Sequence, residues 1–475
     1  MFIGRQQELE FLNNKYNSKK AEFVVLYGRR RVGKTELLTE FCRDKPNLFY
    51  SCNEYTDRKQ FSAFCNSLFV FEPSLHKQIR RFADWQDVFS SLGDLPGEEK
   101  KIIVIDEFPY MCKGDKSIPS LLQNLWDHKL KDSNIMLILS GSSVSFIEDE
   151  LLGVKNPLYG RATGIYKLEP LPFDDAVKFF SDYSNEEKVT AFSILGGIPH
   201  YLKQFDPDIS LEDNIKKHIL SKGTVLSGEV EYILHQELRE PAIYITLLET
   251  IATGSTKFNE ICERSQIESG KMSVYLRNLA ELGIIARDYP VLTKAKDLTK
   301  KNIGEYRITD DFFRFWFAYV YKYSSELALG NVDDLWNYVI KKDLHNFASK
   351  AFENISIKYL YKQRHIGNTP VLFLSIGRWW GKVTHKDENG KPYTVSEEID
   401  VLATDKDEKN YIIGECKFTN EPFDLAQLKA LQKKLEINGE KYWYLFSLNG
   451  FTDAVKDAAK ENNNIRLVTL DDMLD

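Results

Sequence analysis

Phe23-Val24-Val25-Leu26-Tyr27-Gly28-Arg29-Arg30-Arg31-Val32-Gly33-Lys34-Thr35 joins an apolar run to the pattern Gly-x-x-x-x-Gly-Lys-Thr. Five consecutive apolar residues predict a buried strand, and residues 36–41 predict an amphipathic helix behind it. Between them, Gly28 and Gly33 let the backbone turn tightly and aim its amides at an anion. The predicted ligand is the phosphate chain of ATP or ADP, held by the loop from Gly28, Arg29, Arg30, Arg31, Val32 and Gly33 to Lys34, Thr35 and Glu36. Lys34 is expected on the β- and γ-phosphates and the Thr35 hydroxyl on Mg²⁺. The three arginines face phosphate through their backbone, which leaves their side chains for a lid or a partner.

Two further apolar runs fit the same site. Lys101-Ile102-Ile103-Val104-Ile105-Asp106-Glu107-Phe108 ends in two carboxylates, as a central parallel strand does where its carboxyl end meets a ligand. Asp106 is expected to hold Mg²⁺, and Glu107 to accept a hydrogen bond from the water that attacks the γ-phosphate. Ile135-Met136-Leu137-Ile138-Leu139 ends in Ser140-Gly141-Ser142-Ser143, where Ser142 or Ser143 suits a γ-phosphate sensor; the alternative use is a cap on the next helix. Residues 47–52 and 166–168 complete the predicted strands. Arg5, ahead of the first strand, is a candidate for the adenine or ribose side, or else a surface arginine. Arg161 follows Gly160 in a loop expected near the nucleotide end, and is a candidate arginine finger or sensor, or else half of a structural salt bridge.

The chain has 475 residues, which at roughly 150 per domain suggests about three domains. Apolar residues make up 43% and charged residues 28%, the balance of a globular protein that is not disordered. No run approaches the roughly 20 apolar residues of a spanning helix, and the N-terminus lacks a signal-peptide layout, so no membrane is implicated and the expectation is cytoplasm. Cys42, Cys52, Cys65, Cys112, Cys262 and Cys416 lack metal-binding spacing and read as reduced, mostly buried thiols. A net charge of −7 argues against a chain that coats nucleic acid by bulk charge, so any basic face must be local.

Residues 173–236 read as a small helical lid, bending at Gly196-Gly197. Three predicted helices follow (243–252, 258–264 and 271–282), then strands at 283–287 and 306–308. That is the layout of a winged helix-turn-helix. Its charges between 255 and 288 balance, five cations against five anions, so it suits protein contact or spacing nearly as well as DNA. Its loop nevertheless carries Lys294, Lys296, Lys300 and Lys301 against Asp297. Phe312-Phe313-Arg314-Phe315-Trp316-Phe317 reads as core between domains. Further on, a helix over 346–360 carries Glu353, then come Gly377-Arg378-Trp379-Trp380-Gly381, a polar hairpin region, Asp400 near the start of one strand, and Glu415-x-Lys417 on its hairpin partner. Strand alternation sets Glu415 and Lys417 on one face. Asp400, Glu415 and Glu353 form a candidate carboxylate set for a divalent ion, and Lys417 a group to orient water or stabilise charge on a phosphodiester. Ile399 stands where this pattern often has proline.

Gly4-Arg5 with Glu8-Leu9, the loop from Gly28 to Thr35, Asp106-Glu107, the Ser140 strand end and Leu195-Gly196-Gly197-Ile198-Pro199-His200-Tyr201-Leu202 together resemble an AAA+-type archaeal or bacterial ATPase. Its relatives carry a C-terminal domain similar to PD-(D/E)XK nucleases. The resemblance implies ATP binding and hydrolysis, and kinship with ATPases that use the nucleotide as a switch. The expected fold class is multidomain α/β: an ATPase core at 1–172, a lid at 173–236, a winged helix at 237–310, a helical connector at 311–345 and a nuclease-like domain at 346–475. The expected function is Mg²⁺-dependent ATP hydrolysis that drives action on DNA. The alternative is a regulatory switch whose C-terminal domains are inactive and bind a protein partner. Oligomer formation is left open.

Overall fold

Strand β1, Glu22–Tyr27, is buried along its whole length. It lies in a five-stranded sheet of order β2-β3-β4-β1-β5, with β2 at Asn47–Ser51, β3 at Lys101–Asp106, β4 at Ile135–Gly141 and β5 at Gly164–Lys167. Every neighbouring pair is parallel. Side chains alternate along a strand, so Phe23, Val25 and Tyr27 join Ile103, Ile105, Leu137 and Leu139 in one core layer. Val24 and Leu26 join Ile102, Val104, Met136 and Ile138 in the other. Burial on both faces explains why these runs have no polar alternation. Each fully buried Leu or Ile stabilises by about 1.5–3 kcal/mol over exposure, which makes this sheet the rigid base of the site.

The computed structural model describes residues 2–79, 81–153, 156–298, 303–386, 391–435 and 437–474. The chain forms two units: Met1–Pro172 with Ile198–His200, and Phe173–Gly197 with Tyr201–Asp475.

Parallel register gathers the strands' carboxyl ends at one edge of the sheet. Ser51 lies opposite Asp106, and Tyr27 opposite Gly141. Arg161 is at the other edge, which overturns the expectation that it closes a loop near the nucleotide end. The Thr163 amide donates to the Phe23 carbonyl at the start of β1 (2.7 Å), and β5 then runs alongside β1 in the same direction. A residue ahead of β5 is therefore separated from the loop after β1 by a strand's length, about 20 Å for six residues. Arg161 instead takes its alternative use, a salt bridge, with Asp127 of the helix Ile118–His128 at 3.1 Å.

In the second unit, Asn185–Leu195 is a buried helix opened by a reciprocal cap between Ser184 and Glu187. Helices Pro241–Ala252, Phe258–Ser265 and Ser269–Glu281 are followed by the antiparallel pair β6 (Ile285–Asp288) and β7 (Glu305–Ile308). In the loop between β6 and β7, Lys294 and Lys296 are exposed, while Lys300 and Lys301 lie outside the described residues. The aromatic run is core: Phe312, Phe313 and Phe315 are fully buried, and the Arg314 guanidinium lies 3.9 Å from the centre of the Phe347 ring.

The last sheet has order β12-β11-β10-β9-β8, from β8 (Ser375–Lys386), β9 (Pro392–Thr404), β10 (Asn410–Lys417), β11 (Glu440–Ser447) and β12 (Ile465–Thr469). β8, β9 and β10 are antiparallel to one another, whereas β10, β11 and β12 run parallel. Asp400 sits deep within β9 and not near its start, because β9 begins to pair with β8 as early as Pro392. Val291, in the loop after β6, donates its amide to the Arg378 carbonyl of β8 (3.0 Å), and Val291 and Leu292 pack on this sheet's core. All six cysteines are free thiols, and burial pushes that of Cys52 up to about 12. Among the described residues no helix is long and apolar enough to cross a membrane.

Candidate active site

Backbone crowding dictates the glycines of the loop after β1. A Cβ on Gly28 would lie 2.4 Å from the Leu168 carbonyl oxygen, while the Leu168 amide donates to the Tyr27 carbonyl at 2.6 Å. Gly33 caps the helix Lys34–Cys42 at φ 94°, a left-handed conformation that disfavours any residue with a Cβ. The Lys34 ammonium is buried inside the loop and donates to the Gly28 and Arg29 carbonyls at 2.9 and 3.1 Å. Arg29 and Arg30 are half-buried and Glu36 is exposed.

The Thr35 hydroxyl donates to Asp106 Oδ2 at 2.7 Å, so loop and β3 meet directly. Glu107 follows in a left-handed conformation (φ 51°, ψ 43°), which for a non-glycine residue costs on the order of 1–3 kcal/mol. Its amide donates to Asp106 Oδ1 at 3.1 Å. Its Oε2 accepts from the Ser142 hydroxyl at 2.8 Å and the Ser142 amide at 3.3 Å. Thr35, Asp106, Glu107 and Ser142, predicted from three separate segments, thus form one hydrogen-bonded row along the carboxyl edge of the sheet.

Arg5 is nearly buried, and its guanidinium goes to protein groups: Glu8 (2.8 Å), the Glu169 carbonyl (2.8 Å) and the Val32 carbonyl (2.9 Å). In a trans peptide the carbonyl and the following N–H point opposite ways. With the Val32 carbonyl drawn to Arg5, the Gly33 amide is turned away from it. Arg5 therefore shapes the loop, where the sequence suggested an adenine or ribose contact or a surface position. Residues 198–200 also belong here, a contact that sequence reasoning missed although it noted the Gly-Gly-Ile-Pro-His segment. Pro199 would lie 3.6 Å from a Cβ on Gly33, and Arg31 Nη1 meets His200 Nε2 at 2.8 Å.

The C-terminal residues converge too. Glu353 lies buried on the helix Lys341–His365 and pairs with Lys350 at 3.0 Å and Arg378 at 3.7 Å. Asp400 Oδ2 accepts from the Cys416 amide at 2.8 Å. Burial, together with the carboxylates of Glu353 and Glu415, pushes the Asp400 carboxyl up to about 7. Burial likewise raises Glu353. Glu415 and Lys417 do share a face, with Lys417 Nζ 2.8 Å from Glu415 Oε1, and Lys434 takes the other oxygen at 2.7 Å. Lys434, at the end of the helix Leu425–Lys434, carries no signal in the sequence that would link it to Glu415. Among the described residues no three His, Cys, Asp or Glu side chains are arranged to hold a metal ion.

Residues 2–205 match an ATPase domain found predominantly in Archaea, and residues 316–434 match archaeal and bacterial proteins of unknown function. An uncharacterized protein of Methanocaldococcus jannaschii is 32% identical over 478 residues, 99% of this chain and 100% of that protein. An uncharacterized ATP-binding protein of the same organism is 56% identical over 45 residues, 10% of this chain and 76% of its own length. The Walker-type ATPase of Pyrococcus abyssi has a similar fold, with a TM-score of 0.52 at 22% identity over 67% of this chain and 96% of that one. The parallel sheet, the phosphate-binding loop and these relationships agree, and the chain belongs to the archaeal family of P-loop ATPases.

Proposed function

We propose that this ATPase works as a nucleotide-driven switch, with Lys34 and the loop amides on the phosphates and Glu107 orienting the attacking water. The hydrogen-bonded row from Thr35 through Asp106 and Glu107 to Ser142 carries the proposal. The Thr35 hydroxyl and Asp106 carboxylate form an oxygen donor pair of the kind magnesium takes. When bound there, the ion neutralises charge on the β- and γ-phosphates. Ser142 orients Glu107 and senses the γ-phosphate through it, and Arg5 fixes the loop from behind. The Arg31–His200 contact links the loop to a segment within the stretch read as the lid. Lys34→Ala is expected to lose ATP binding, while Glu107→Gln binds ATP but turns it over about 10²- to 10⁴-fold more slowly. Normal turnover by Glu107→Gln rules out its assignment.

The output of the switch is action on DNA through the nuclease-like sheet, with the winged helix at residues 237–310 as a spacer or a second contact. Asp400, raised by burial and by the charges of Glu353 and Glu415, supports a reactive polar site with Lys417 beside it, although these three acids are not arranged to hold a metal ion by themselves. A second reading, an inactive C-terminal domain that binds a protein partner, is favoured by one observation: lysines already hold both oxygens of Glu415. Incubation with linear, circular and single-stranded DNA in Mg²⁺ or Mn²⁺ separates the two. Cleavage that Asp400→Ala/Lys417→Ala abolishes supports the nuclease, and equal signal from parent and variant leaves the second reading.

A further inference from the structure

β9 runs from Pro392 to Thr404, yet only Val401 to Thr404 pair with β10. The residues before them pair with β8 alone, from Lys386 opposite Pro392 to Trp379 opposite Ile399. β8 and β9 therefore continue past the next strand as a two-stranded ribbon. Directly opposed residues in an antiparallel pair share a face. One face carries Lys382 opposite Ser396, Thr384 opposite Thr394, and Lys386 opposite Pro392, all six exposed. The Thr384 and Thr394 hydroxyls meet at 3.1 Å. On the other face His385 lies beside Tyr393 and pairs with Glu397 at 3.4 Å. Glu398, at the base of the first face, is taken by Arg378. In a chain of net charge −7 this face is a local exception: two lysines and three hydroxyls, with its one described carboxylate already paired.

We propose that this face of the ribbon is a contact surface for duplex DNA, with Lys382 and Lys386 on phosphates and the hydroxyls of Thr384, Thr394 and Ser396 donating to phosphate oxygens. The inference rests on the reading that the C-terminal region acts on DNA, and it names the element that makes the contact. Size and spacing agree. A two-stranded ribbon fits the major groove of B-DNA, about 12 Å wide, whereas the major groove of an RNA duplex is too narrow for it. Four residues separate the two lysines along β8, about 13 Å, or roughly four base-pair steps of 3.4 Å. Ser396 is likewise about 13 Å along β9 from Asp400, so a duplex on the ribbon lies within reach of the carboxylates. The helix-hairpin module competes poorly for this role: its charges balance, and the base of its loop is already docked on β8 through Val291.

Lys382→Ala/Lys386→Ala should weaken binding of the full-length protein to a 30-base-pair DNA duplex, by roughly tenfold or more at physiological salt. The slope of log affinity against log salt should fall by about 2, since each neutralised phosphate contributes about 0.9. ATP turnover without DNA should be unchanged, which confirms that the variant folds. Lys382→Glu/Lys386→Glu should abolish binding. Parent and alanine variant with equal affinity and slope overturn the ribbon assignment and leave the DNA reading standing. A parent that binds no duplex DNA overturns both, and one that prefers an RNA duplex of the same sequence overturns the choice of DNA.

Discussion

Arg5 spends its guanidinium on three acceptors from three parts of the chain, the N-terminal helix, the phosphate-binding loop and the segment after β5. Hydrogen bonds from a charged donor are worth about 1.5–3 kcal/mol each. Loss of the one to Val32 frees the peptide that sets the Gly33 amide. Arg5→Ala is therefore expected to raise the ATP dissociation constant by roughly tenfold or more, with a smaller effect on turnover once ATP is saturating. Arg5→Lys should not restore affinity, because one ammonium cannot span a planar fork of acceptors. Titration calorimetry with ATP checks this, and unchanged affinity in Arg5→Ala refutes it. At this scale the meeting of Thr35, Asp106, Glu107 and Ser142 was legible because Thr35 opens the helix after a glycine loop and the other three follow or end apolar strand runs. Arg161 misled because a glycine-arginine loop before a strand looks the same at either edge of a sheet; only strand direction distinguishes them.

The C-terminal carboxylates come from three elements, the helix Lys341–His365 with Glu353, β9 with Asp400 and β10 with Glu415. The folded protein keeps the Asp400 proton up to about pH 7, whereas an unfolded chain releases it near 3.8. The folded state thus binds the extra proton between these values, and stability falls as pH rises through that window. Asp400→Asn removes the penalty. Its melting temperature should exceed the parent's at pH 8, by an increment on the order of a few kcal/mol in stability, and match it at pH 3.5. A variant no more stable than the parent at pH 8 contradicts this. The central strands of the first sheet could be read because burial on both faces leaves unbroken apolar runs. β5 was displaced, predicted at 166–168 and found at Gly164–Lys167, because an edge strand with one exposed face has no such run. The length of β9 was hidden for a similar reason. Residues 392–397 are polar and alternate only weakly, so they read as part of a hairpin region and not as the far end of the strand that carries Asp400.

For the molecule as a whole, order along the chain is an imperfect guide to which parts pack together. The stretch predicted as a lid, 173–236, is largely helical, yet Ile198–His200 cluster with the nucleotide-binding unit while the residues on either side do not. No periodicity announces this, since Gly196-Gly197-Ile198-Pro199 looks like an ordinary bend and the approach of His200 to Arg31 depends on tertiary structure alone. The return of these three residues to the first unit has a consequence for biosynthesis. The ATPase sheet is complete once β5 has left the ribosome, but the piece that covers Gly33 and meets Arg31 is made only after helix Asn185–Leu195 of the second unit. At synthesis rates of about 5–20 residues per second, the nascent sheet waits a few seconds for it. During that interval the phosphate-binding loop exists without its His200 contact.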